Sequence, residues 1–137
     1  MEIDKSKYGK NCIGHVIRII SDKEIIINVG DEDLTVGDYI QIYSAGESLI
    51  DLDGTELGVY ENIKETLEVT YTSTYYSVCK KISTSTNYPL DITNFFSGMT
   101  PITTTTVEKL SVDESEIDPL KIDFDKTIHK GDPVKKR

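Results

Sequence analysis

The sequence predicts an all-β fold: a small antiparallel barrel, SH3-like in size, carrying a Ser/Thr-rich extension. Three observations predict it. Ile, Val and Thr number 18, 9 and 15, so 42 of 137 residues are β-branched, against a single alanine, Ala45. Such side chains are stiff at χ1 and suit a pleated surface better than a helix. Short apolar runs alternate with polar residues at a period of two. Tight-turn signals separate those runs at regular intervals.

Residues 12–20, CIGHVIRII, read as the first strand. Ile13, Ile17 and Ile19 share one phase while Val16 and Ile20 take the other, which predicts a strand covered on both sides at one end. Ser21, Asp22 and Lys23 form a turn cluster, and residues 24–29, EIIINV, complete a hairpin. Residues 30–33 break the strand. A third strand begins at Tyr39, with Ile40 and Ile42 alternating against Gln41 and Tyr43, and residues 44–48 read as a loop. Asp53-Gly54 is a turn signal, because glycine tolerates positive φ, and it joins 49–52 to 57–60 as a second hairpin. Residues 66–72 alternate most cleanly: Leu67, Val69 and Tyr71 on one face, threonines and Glu68 on the other. Residues 75–82 continue as a strand with Tyr76, Val78 and Ile82 in one phase. The barrel is expected to occupy residues 10–83.

Residues 84–112 form the Ser/Thr-rich extension. A helical turn is expected there, opened by Asp91 as N-cap, closed by Gly98 and anchored by Phe95 and Phe96. Residues 102–112 are β-branched enough for a late strand. Residues 113–137 read as a charged tail, in which 120–125, LKIDFD, forms one further short strand.

The net charge is −9, with 24 acids against 15 bases. Such a surface repels phosphate backbones and anionic membranes, so nucleic acid and membrane are excluded as expected partners. Basic proteins and cations are favoured instead. Cys12 and Cys79 fit no redox spacing and read as reduced, partly buried thiols, the alternative being a single disulfide in an exported chain. The first eleven residues lack the apolar stretch of a secretory signal, and no apolar run is long enough to span a bilayer. The expected location is the cytoplasm, the alternative being an excised domain of an exported protein.

No cluster carries catalysis. Cys12 and His15 have CxxH spacing, half of a zinc site, but residues three apart on a strand point to opposite faces. They read as ordinary strand residues, and no metal or cofactor is expected. The Asp-Gly-Thr at residues 53–55 reads as a hairpin turn. No phosphate-binding glycine loop and no HExxH are present. Two surfaces remain as candidate sites. Tyr71, Tyr75 and Tyr76 crowd one turn and form a candidate contact surface. Asp31, Asp33, Asp51, Asp53 and Glu56 form a candidate acidic-loop site, since hard cations take clustered carboxylates.

The run INVGDEDLTVGDYIQIYS, followed by LIDLDGTELGVYENIKETLEVTYTSTYYSVCK, resembles the C-terminal small β-barrel of the bacterial flagellar assembly protein T family. Asn28, Gly30, Gly37, Asp38, Asp53, Gly54, Leu57 and Gly58 carry the likeness, over about half the chain. These are turn and packing residues. The resemblance implies a fold and an assembly or contact role, and it brings no catalytic residue with it. The expected function is a non-enzymatic protein-interaction or assembly module of bacterial type, binding through an exposed edge or aromatic patch. The alternative is a small-ligand or cation-binding module using the acidic loops.

Overall fold

The computed structural model describes residues 3–83, 106–122 and 124–137. The chain divides into two compact units, one made of Met1–Ile82 with Leu120–Arg137, the other of Ser83–Pro119. The first unit is an all-β barrel. Its strands are β1 (Cys12–Ile19), β2 (Glu24–Ile27), β3 (Tyr39–Ile50), β4 (Glu56–Thr72), β5 (Ser77–Lys80) and β6 (Pro133–Lys136), preceded by one helical turn, α1 (Lys5–Tyr8). Every pairing is antiparallel, and the order β1-β2-β5-β4-β3-β6 closes on itself.

The β1–β2 hairpin forms as expected, held by the Ile20 and Ser21 N–H groups on the Glu24 carbonyl. The two apolar phases of β1 have a local cause. The register shifts between Val16 and Arg18, so the strand bulges at Ile17 and changes which side faces inward. Cys12 through Val16 are covered, whereas Ile17 and Ile19 are exposed. A second shift, between Val69 and Tyr71, turns Tyr71 outward although Leu67 and Val69 are buried.

Three expectations are corrected. Residues 44–48 are strand rather than loop: Ser44 pairs with Asn62, Ala45 with Glu61 and Ser48 with Val59, and an irregularity between Ala45 and Ser48 absorbs Gly46 and Glu47. Pairing along β4 overrides the weak strand propensity of Ser, Ala and Gly. The inward phase of β5 belongs to Ser77 and Cys79, both buried, and Tyr75 and Tyr76 are both exposed. Ser77 is tolerated inside because its hydroxyl donates to the Val29 carbonyl.

The third correction concerns the tail. Residues 133–136 form β6, which lies between β1 and β3: Gly14 pairs with Val134 on one side and Ile42 with Val134 on the other. The barrel is therefore not confined to 10–83. Pro133 and Val134 carry the burial, while Lys135 and Lys136 reach Glu61 at 3.0 Å and Asp38 at 3.9 Å. Among the described residues of 120–125 there is no strand. The core collects Val16, Ile27, Leu34, Ile40, Ile42, Val69 and Val134, each essentially inaccessible to water.

In the second unit the described residues hold one 3₁₀ turn, Glu114–Glu116, capped by Asp113, whose carboxylate accepts from the Ser115 N–H and hydroxyl. No strand occurs among the described residues 106–112. The expected turn with Asp91, Phe95, Phe96 and Gly98 lies outside the described residues.

Candidate functional site

Two strands outgrow the barrel. β3 pairs with β6 only at Ile40, Gln41 and Ile42, and β4 pairs with β5 only between Glu68 and Thr72. Beyond these points β3 and β4 pair with each other alone, out to Ile50 opposite Glu56. The result is a two-stranded ribbon, residues 44–50 and 56–61, roughly 20 Å long at about 3.3 Å per residue. Its tip is a tight turn: Asp51 N–H donates to the Thr55 carbonyl at 2.8 Å, Gly54 N–H to the Asp51 carbonyl at 2.9 Å, and Gly54 sits at φ +90°. Asp53 accepts the Thr55 N–H at 2.9 Å. That bond, aided by the Thr55 hydroxyl, holds the Asp53 carboxyl below its usual range.

The ribbon is apolar and acidic together. Leu49, Ile50, Leu52, Leu57 and Tyr60 are exposed on it, Leu52 completely. Residues 44–61 contain Glu47, Asp51, Asp53, Glu56 and Glu61 and no Lys or Arg. Among the described residues, no hydrogen bond reaches the backbone of 46–50 from any strand but β4.

The β4 side is furnished differently. Gly9, which ends α1 at φ +94°, lies so close to Val59 that an added Cβ would sit 3.2 Å from its Cγ2. Lys5 and Lys10 line a shallow pocket with Glu56 and Gly58. Nearer the barrel, Lys126 donates to the Ile63 carbonyl at 2.8 Å and to Asn62 at 3.2 Å. Lys64, its side chain 4% exposed, is held by Asp132 at 2.9 Å and the Thr127 carbonyl at 2.9 Å.

The tyrosine surface stands at the other end of β4. Tyr71 and Tyr76 are tilted toward each other with centroids 6.3 Å apart, and Tyr75, 83% exposed, projects from the turn between them. Asp31 is tied to this turn, its N–H donating to the Ser73 carbonyl at 2.9 Å, and Gly30 packs directly on Thr74. Asp33 follows in the same tight turn, donating its N–H to the Gly30 carbonyl. The structure thus ties Asp31 to the tyrosine turn, with Asp33 two residues on, and leaves Asp51, Asp53 and Glu56 on the ribbon, at the other end of the 17 residues of β4. Among the described residues, no three His, Cys, Asp or Glu side chains are grouped to hold a metal.

The remaining reactive groups are engaged. Cys12 Sγ lies 3.3 Å from the Gly14 carbonyl, and His15 Nδ1 lies 3.2 Å from the Gly131 carbonyl with its ring on the edge of Tyr8. Burial pushes the Cys79 thiol up to about 12. Sequence reasoning missed a pocket of about 270 Å³ whose wall includes Ile19, Ile25, Leu67, Cys79 and Ile128. The hairpin at Asp53-Gly54 is expected from the sequence, but its length is not, because residues 44–48 read as a loop.

No protein-family model matches the chain, and no curated protein matches it. No helix among the described residues is long and apolar enough to cross a membrane.

Proposed function

We propose that the protein is a non-enzymatic interaction module that binds another protein along the β3–β4 ribbon. The observation that carries this reading is the ribbon itself: paired strands leaving the closed ring with unpaired margins and five large apolar side chains in water. An isolated two-stranded ribbon is marginal in water. Exposed strand margins are also templates for pairing with another chain, which is how β-strand addition gives affinity through the main chain. An assembly role implied by the resemblance to the flagellar family accords with this reading.

The test replaces residues 46–60 by an Asn-Gly turn between Ala45 and Glu61, which face each other, and compares capture of partners by the full chain and the shortened one. The shortened chain is expected to keep its melting temperature within a few degrees and to lose its partners. Unchanged capture by a folded, shortened chain overturns the reading.

A further inference from the structure

We infer that the ribbon's missing neighbour is a basic, extended segment of a partner protein, added as a third strand along residues 46–50 of β3. The inference rests on the interaction reading above and specifies its partner. Three features choose the occupant.

The first is charge. Five carboxylates and no cation lie within residues 44–61, and among the described residues only Glu61 forms an ion pair, with Lys135 at 3.0 Å. Opposite charges across a strand pair stabilise it, whereas like charges directly opposite destabilise it. A second copy of this chain is disfavoured on that ground. Ribbon against ribbon would gather Glu47, Asp51 and Asp53 twice, between molecules of net charge −9.

The second is the choice of margin. On the β4 side, Lys126 already occupies the Ile63 carbonyl. Lysines placed on a strand margin block pairing there. A strand added along β4 meets Lys126 there, whereas among the described residues no lysine takes a backbone group of residues 46–50 of β3.

The third is the side-chain pattern. Glu47 and Leu49 share one phase of β3, which Asp51 continues, and Ser48 and Ile50 share the other, so one face carries two carboxylates and the opposite face an exposed isoleucine. A strand of alternating Lys or Arg and apolar residues complements both faces at once. It would present its cations to Glu47 and Asp51, laying a lysine's aliphatic stem over Leu49, and its apolar side chains to Ile50.

The probe is a short synthetic peptide of alternating Lys and Val, offered to the full chain beside a Glu–Val twin and a Lys–Val twin with methylated backbone nitrogens. Amide hydrogen exchange reports where each binds. The Lys–Val peptide is expected to slow exchange at residues 46–50 by about tenfold or more. Neither the Glu–Val peptide nor the methylated twin should do so. Glu47, exposed and outside the core, supplies the matching variant: Glu47→Lys should weaken the Lys–Val peptide by about fivefold or more.

Equal protection by the methylated twin would reduce the effect to charge adsorption and overturn the inference. So would protection confined to residues 56–60, or a concentration-dependent dimer that protects 46–50 without peptide. If shortening the ribbon abolishes partner capture while the Lys–Val peptide fails to bind, the basic partner falls and the interaction module stands.

Discussion

A methyl group at position 30 has nowhere to go. The Cβ of an alanine there would collide with the Thr74 carbonyl, a backbone atom that cannot swing aside. Gly30→Ala should therefore cost roughly 2 kcal/mol or more, read from the urea midpoint, and should detach Asp31 from Ser73. Asp132→Asn removes the charge facing Lys64, whose ammonium is almost wholly enclosed; an unpaired buried charge of this kind costs about 3 kcal/mol. Cys79 makes a pH-dependent contribution. Its thiol goes from 9.0 to about 12 on burial, so the folded chain keeps a proton that the unfolded chain releases. That stability is complete below pH 9 and is lost as pH rises toward 12, at up to about 1.4 kcal/mol per pH unit. Unfolding midpoints between pH 8 and pH 10.5 should fall more steeply for the natural chain than for Cys79→Ala. Ser44 offers a contrast, because its hydroxyl is buried with no hydrogen-bond partner among the described residues. Ser44→Ala should be neutral or slightly stabilising by the same measurement.

Strands differ in how much of themselves they write into local sequence. The β1–β2 hairpin and the Asp53-Gly54 turn are legible because a short apolar run and its turn residues lie within one window. The alternation of Leu67 and Val69 is legible for the same reason. The full extent of β3 is not, since Ser44, Ala45 and Gly46 are strand only by virtue of β4 opposite them. β6 is less legible still: PVKK holds one core side chain, Val134, and its partners lie more than ninety residues upstream. Val134→Ala should nevertheless cost about 2 kcal/mol, because the cavity it leaves opens between β1 and β3 where nothing can collapse inward. Equilibrium denaturation of that variant checks the figure, and a loss below half of it would show β6 to be peripheral. The candidate residues were readable as types and not as a constellation. Tyr71 and Tyr76 lie side by side, and Asp31 reaches their turn through Ser73. Asp51, Asp53 and Glu56 belong elsewhere because β4 carries them away over its whole length.

Across the molecule, the ring and the ribbon answer to different demands. The ring buries its side chains and pairs every strand, so no margin is left open in it. Shortening the ribbon and deleting residues 133–137 should accordingly have opposite effects. The first spares cooperative unfolding, and the second abolishes it, as monitored by the near-ultraviolet circular dichroism of the tyrosines. β1 and β3 share a neighbour that is synthesised long after both of them. A nascent chain leaving the ribosome must therefore wait with two raw flanks until residue 136 is made. Stalled translation products that stop short of residue 133 should be cut quickly by proteases and held by chaperones, whereas products that include β6 escape both.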